Sequence, residues 1–330
     1  MKSNLPIALT ALATLGLTAA SLHADTFGSG GNAFSIDFVT VGDPGNADDS
    51  GTTGSYYSSY GGVGYTFRMG TYEVSRDIIA KANAGGNLGI TLADMTAFGG
   101  NVATDPATGV SWNEAARFVN WVNTSQGYSA AYKFALQPGD VGYSSNANLL
   151  LWDSGDAGYD ANNLYRNSNA YYFLPSEDEW YKAAYYSGSG TTYYDYATGS
   201  DTTPTAVASG TVADSAVYNQ VFSVGPADTD NAGDLSYYGT MGQNGNVQEL
   251  IESALAAPND SPTENRVIRG GYWNGAEANL RSSTRISAPT TNESANVGFR
   301  IASVVPEPSI GILGLLGSTC LLLKRRRIAE

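Results

Sequence analysis

The sequence predicts an α+β domain with little regular secondary structure for its size. Three features carry this reading: three segments open with helix N-cap patterns, the β-prone runs are short, and the stretches between them are rich in Tyr, Gly, Asn and Ser. With 22 Tyr and 39 Gly in 330 residues, much of the chain suits ordered loop rather than long elements.

The first helix is expected after Ser75, a candidate N-cap, with Asp77 in the first turn and Ile78, Ile79 and Ala82 forming an apolar face that ends near Asn83–Gly86. In the second, Ser111 and Glu114 stand at capping-box spacing, where each side chain satisfies the other residue's free backbone N–H. Ala115, Phe118, Val119 and Val122 follow at helical spacing and should face inward. The third repeats the device with Ser176 and Glu179, preceded by Pro175 and followed by Trp180, Ala183 and Ala184. Strands are expected at Phe34–Val41, Tyr171–Leu174, Arg266–Ile268 and Gly298–Val304, and Gly42–Gly64 reads as a surface loop or irregular strand edge.

The two ends read as processing signals. Residues 1–24 carry Lys2, the apolar run Leu5–Ala20 and the small-residue end Leu22-His23-Ala24, the order of a secretory signal peptide, so a mature chain is expected from about Asp25. Residues 25–304 form the expected domain, and 305–330 form a tail. The tail runs Val305-Pro306-Glu307-Pro308, an apolar stretch Ser309–Leu323, then Lys324-Arg325-Arg326-Arg327. Fifteen helical residues rise only about 22 Å, short of a hydrocarbon core of roughly 30 Å, and the basic cluster would stay cytoplasmic. The tail resembles the PEP-CTERM sorting signal. That resemblance implies an exosortase-type processing partner, a C-terminal membrane anchor before cleavage, and delivery to the cell envelope or extracellular matrix.

The formal charge is −14, and removing Met1–Ala24 and Ser309–Glu330 leaves 12 basic and 30 acidic residues, or −18. Such a surface repels nucleic acid, which is set aside as a partner. The only cysteine is Cys320 and the only histidine is His23, so the expected mature domain has neither. That removes disulfides, thiolate nucleophiles, imidazole bases and the usual copper, iron and zinc ligands, leaving oxygen donors that suit calcium.

Six motifs then occur in order: Tyr72-Glu73-Val74-Ser75, Val110-Ser111-Trp112-Asn113-Glu114, Phe173-Leu174-Pro175-Ser176-Glu177-Asp178-Glu179-Trp180, Gly245-Asn246-Val247-Gln248-Glu249, Arg269-Gly270-Gly271-Tyr272-Trp273 and Asn296-Val297-Gly298-Phe299-Arg300. Together, from about Tyr65 to Ala302, they resemble the formylglycine-generating, sulfatase-modifying factor family. The resemblance implies a variant of the C-type-lectin-like fold. It also brings in copper-dependent oxidases that need two cysteines after the Arg-Gly-Gly motif, and iron-dependent sulfoxide synthases that need histidines. Here Tyr272–Arg281 supplies neither residue type, and Tyr272 stands where a serine usually follows Gly-Gly.

For calcium, the resemblance implies the carbonyls of Gly245 and Val247 and the carboxylate of Glu249. The upstream Asn position is Gly242, and Gln248 and Leu250 replace the flanking tryptophans. The same residues also read as a tight turn in which Glu249 accepts backbone N–H bonds. Asp228–Asp234 partly imitates an EF-hand loop but lacks its twelfth-position Glu, and reads as a solvated acidic loop. Glu177, Asp178 and Glu179 fall in a first helical turn, where acids favour the dipole. Trp273, Asn274, Arg281 and Arg285 fall in the segment lining the family's cleft. They suit a sugar or peptide ligand, or alternatively a buried tryptophan with arginines paired to acids. The expected function is an exported, non-catalytic binding domain lacking the redox cysteines; the alternative is a metal-dependent oxidoreductase-like enzyme with an oxygen-ligand site.

Overall fold

The computed structural model describes residues 23–50 and 59–306. In chain order its strands are β1 (His23–Phe27), β2 (Phe34–Val41), β3 (Phe67–Gly70), β4 (Lys133–Phe134), β5 (Leu149–Leu150), β6 (Tyr172–Phe173), β7 (Thr205–Val207), β8 (Ser215–Val217), β9 (Gln248–Ala254), β10 (Arg266–Arg269), β11 (Ile286–Ala288), β12 (Val297–Gly298) and β13 (Ala302–Val304). The helices are α1 (Arg76–Gly86), α2 (Trp112–Ser125) and α3 (Glu177–Tyr185).

One antiparallel sheet runs β1-β2-β3-β13-β6, so the last described strand inserts between two earlier ones and shares a layer with the first. A second sheet runs β11-β10-β9-β12, with β12 parallel to β9. The expected strand Gly298–Val304 is therefore two strands in different sheets. Phe299 and Arg300 occupy the crossing, both fully buried, and their side chains hold the two layers together. β9 was expected only as the end of a turn. It is buried on both faces, so its Gln248, Glu249, Glu252 and Ser253 lack the polar–apolar alternation that would mark a strand.

All three helices start where their caps lie. Ser75 Oγ accepts from Ile78 N, while Ser111 with Glu114 and Ser176 with Glu179 form complete capping boxes. α1 ends at Asn87, which takes the left-handed conformation (φ 50°) and returns its N–H to the Asn83 carbonyl. α2 buries Ala115, Phe118, Val119 and Val122 against a core shared with Phe34, Phe38, Ile79 and Phe299. Trp112 fixes the helix to the second sheet by donating its indole N–H to the Ile251 carbonyl at 3.0 Å.

β1 begins at His23, and its Asp25 pairs with the buried Arg68 at 2.6 Å. Among the described residues no helix is long and apolar enough to cross a membrane. The sequence-based expectation of a membrane-spanning segment therefore finds no counterpart here. Ser309–Leu323, Met1–Leu22 and residues 51–58 of the expected surface loop lie outside the described residues.

Candidate functional site

The Gly245–Glu249 motif leads into the polar centre of the molecule. Gly245 has φ +108°, and a Cβ there would fall 2.3 Å from the Val217 carbonyl oxygen, so only glycine fits the turn. Asn246, also left-handed at φ 58°, donates to Glu73 Oε2 at 2.7 Å and accepts from Ala227 N at 2.8 Å. Glu249, fully buried in β9, receives Arg300 Nε at 2.7 Å and Nη2 at 2.6 Å, and also the Trp180 indole N–H at 2.7 Å. The remaining Arg300 donors reach the carbonyls of Gly70, Thr71 and Met241, so every guanidinium N–H has an acceptor.

Of the calcium donors expected at Gly245, Val247 and Glu249, this geometry bears on the Glu249 carboxylate. Both Glu249 oxygens face N–H donors, and a cation placed beside them would meet the Arg300 charge. Among the described residues no group of three or more His, Cys, Asp or Glu is placed to hold a metal. Glu73, beside this pair, is pushed well above the usual carboxylate range by burial and by the Glu249 charge, against the opposing pull of Arg300.

The first-turn acids of α3 do more than complement a dipole. Glu177 holds two arginines, Arg269 at 2.6 Å and Arg285 at 2.8 Å. Glu179 receives Arg166, which also reaches Glu252. Burial disfavours the charged Glu179, but Arg166 outweighs it and holds the carboxyl below its ordinary value. The sequence offered no signal for these partners, because the arginines of Glu177 lie 92 and 108 positions away and Glu179 and Glu252 join through Arg166, outside any motif. 

The expected ligand residues do not converge. Trp273 is fully buried, packs with Phe98 and Phe222, and donates to the Phe222 carbonyl at 3.3 Å. Arg281 pairs with Glu277 four residues earlier and lies over Tyr196. Arg285 is committed to Glu177 and to the carbonyls of Leu255 and Ala254. Asn274 is half-buried, and its enclosed Oδ1 has no hydrogen-bond partner. The reading of Trp273 as core with paired arginines is the one the geometry supports.

A concavity that the sequence did not reveal lies elsewhere. A cleft of about 180 Å³ opens between β2, the Tyr72–Ser75 segment leading into α1, and the loop carrying Thr229 and Asp230. Ser35 and Asp37, two apart on β2, face it together. Neither the Asp37 nor the Asp230 carboxylate has a hydrogen bond or ion pair among the described residues, and neither does the half-buried Tyr72 hydroxyl. Burial, then the charges of Asp37 and Asp230, raise the Tyr72 phenol above its usual value. The EF-hand-like run contributes only here. Asp228 accepts from Thr104, and Asp234 accepts from the N–H groups of Asp214 and Leu235, which leaves Asp230 at the cleft.

With this geometry in hand, residues 65–305 match the sulfatase-modifying factor enzyme 1-like domain. The chain belongs to that family. No curated protein matches it. Among solved structures it is similar to Treponema denticola variable protein 1, with TM-score 0.58 and 16% identity over 87% of this chain and 100% of that one. It is also similar to CarF, with TM-score 0.56 and 19% identity over 82% and 99%, and to PvdO from Pseudomonas aeruginosa, with TM-score 0.50 and 16% identity over 85% and 98%. At these identities the likeness is one of fold.

The copper and iron that the sulfatase-modifying factor resemblance implies do not fit the donors of this chain. Tyr272–Arg281 contains no cysteine or histidine, and its fully buried members, Trp273 and Leu280, are packed into apolar clusters. Strands β1 and β2 precede the matched family region, so the Asp37 wall of the cleft is built outside it.

Proposed function

We propose that this chain is an exported, envelope- or matrix-associated binding domain that keeps the sulfatase-modifying factor fold, in its C-type-lectin-like form, without the family's redox centre. One observation carries the reading: among the described residues four of the seven buried acids, Glu177, Glu179, Glu249 and Glu252, are held by arginines, in a domain with no cysteine. Carboxylates fixed in ion pairs stabilise a scaffold and are poor ligands or bases, since moving a proton or metal onto them would strand a buried guanidinium. Export rests on the charged, apolar and small-residue order of residues 1–24, and sorting rests on the Pro306-Glu307-Pro308 tail.

Elemental analysis and thermal melting of the purified chain test this, with and without chelator and with copper, iron or calcium added back. The expected outcome is no stoichiometric copper or iron and an unchanged melting temperature with either metal. Stoichiometric copper with oxygen consumption would overturn the reading in favour of an oxidase. A chelator-sensitive melt restored by calcium would reinstate a structural ion away from the Glu249–Arg300 pair.

A further inference from the structure

We propose that a second cleft, between the C-terminal end of α1 and the face of α2 that carries Arg117 and Trp121, binds a small hydroxylated carboxylate of the sugar-acid class. Its carboxylate takes N–H bonds from Arg117 and Trp121. This deepens the binding-domain reading above and rests on it.

Two contrasts within the molecule meet at this cleft, and the first concerns charge. Among the described residues five arginines are buried, and Arg68, Arg266, Arg269 and Arg300 each have a carboxylate at 2.6 to 3.6 Å. The buried Lys182 has Asp43 in its field. Arg117, only 3% exposed and lining the cleft, has no carboxylate partner. The carbonyls of Ser145, Leu136 and Ala147 take three of its N–H donors at 2.8 to 3.0 Å, and its guanidinium lies over the rings of Phe134 and Tyr143. Carbonyls and ring faces carry no net charge, so a whole positive charge is enclosed without a counter-ion. A guanidinium has five donors, which leaves one N–H on each Nη without an acceptor among the described residues. Burial lowers Arg117 below its ordinary value, and what opposes this is the Tyr143 phenol rather than a carboxylate.

The second contrast concerns the five tryptophans. Trp112, Trp152 and Trp273 donate their indole N–H groups to the carbonyls of Ile251, Ala131 and Phe222, and Trp180 donates to Glu249. Trp121 is half-buried at the cleft, and its N–H has no acceptor among the described residues. The indole is nonetheless held in place. Phe34 stacks on it with ring centroids 5.8 Å apart, and Cβ atoms at Gly85 and Gly86 would fall 2.9 and 2.4 Å from its ring. Two glycines weaken the last turn of α1 as a helix, and what they admit is this ring. Arg117 and Trp121 stand four apart on α2, so their side chains share a face. Spare donors from a cation and an indole on one face match an anionic acceptor, and a carboxylate offers two oxygens to them.

The rest of the cleft selects the rest of the molecule. Its volume of about 240 Å³ is several times the roughly 30 Å³ of a single water, and so suits a ring compound rather than a bare ion. No Asp or Glu lines it, so nothing in its wall repels an anion. Leu88 and Pro138 give an apolar wall for the C–H face of a ring. Gln137 spends its amide N–H on the Phe134 carbonyl at 3.2 Å, which leaves its Oε1 to accept from a ligand hydroxyl, as the Thr124 oxygen also can. An apolar wall with a few such acceptors favours a hydroxylated carboxylate over a wholly apolar one.

Calorimetric titration of the full chain with D-glucuronate, D-glucose and cyclohexanecarboxylate tests the assignment. Saturable binding of glucuronate is expected, with cyclohexanecarboxylate weaker and glucose undetected. Trp121→Phe keeps a ring against Phe34 and the two glycines but removes the N–H, and should weaken glucuronate about tenfold, the size of one charge-assisted hydrogen bond. Its melting temperature without ligand should stay unchanged, which separates loss of binding from loss of structure. Gln137→Ala, at an exposed side chain, should weaken glucuronate severalfold and leave cyclohexanecarboxylate as it was. Equal binding of glucose and glucuronate would overturn the proposal, as would undiminished glucuronate binding by Trp121→Phe or no binding of any of the three. Tighter binding of cyclohexanecarboxylate than of glucuronate would overturn it in favour of an apolar acid. Each of these failures concerns the cleft alone, whereas metal content and oxygen consumption judge the binding-domain reading.

Discussion

The side chains that decide this molecule's character are its buried arginines. Arg300 reaches five acceptors from a fully buried position, joining the carbonyls at the end of β3 to the carboxylate of β9. Arg300→Met would leave Glu249 ionised and unpaired beside Glu73, and should destabilise the fold by about 3–5 kcal/mol in urea denaturation. Adding Glu249→Leu should recover part of that loss, because the stranded charge goes with it; a double variant less stable than the single one would contradict this account. The sequence placed Arg300 at the end of a motif, but it gave Glu249 two readings. Choosing between them required the position of a residue 51 places away, which no local pattern carries. The acids of the cleft were illegible for the same reason, since Asp37 and Asp230 meet only after folding.

At the scale of elements, what could be read was whatever is specified locally. A capping box is written in four consecutive residues, and all three helices begin where Ser75, Ser111 and Ser176 place them. β2 likewise occupies Phe34–Val41, as its β-branched and aromatic run predicts. The strands that escaped notice are short or buried on both faces, and their partners come from distant segments, as when β13 inserts between β3 and β6. The caps also make a graded prediction. Ser176→Ala should cost about 1–2 kcal/mol, the upper part of the range for a lost N-cap, because Glu179 must hold its capping geometry and Arg166 together. Ser75→Ala, whose cap is single and accepts at 3.3 Å, should cost about 0.5–1 kcal/mol. Chemical denaturation of the two variants checks the order; equal losses would mean the box adds nothing here.

At the scale of the whole molecule, the same burial that pairs most acids leaves others poised to titrate, and their signs combine into one pH profile. Burial, together with Asp228, pushes Asp105 up to about 6, and burial pushes Asp178 up to about 6 despite the Gly61 N–H it accepts. The unfolded chain titrates these groups near 3.9, so between about pH 4 and 6 the folded state binds more protons, and stability falls as pH rises through that window. Glu73, raised by burial and Glu249, acts in the same direction. Lys182 works at the other end: burial lowers it to about 8, with its ammonium on the Asp43 carbonyl at 2.8 Å. Its unfolded value is near 10.4, so from about pH 8 upward the unfolded state binds the extra proton and stability rises with pH. Glu179, held low by Arg166, loses its contribution only as pH falls below its ordinary value near 4.3. Melting temperature followed from about pH 4.5 to 9 at fixed ionic strength should therefore pass through a shallow minimum between about pH 6 and 8. Asp178→Asn should flatten the acid limb, because the amide keeps an acceptor for Gly61 and no longer titrates. A maximum near neutrality, as in proteins whose acids are stabilised in their charged form, would show that the paired carboxylates outweigh the buried unpaired ones.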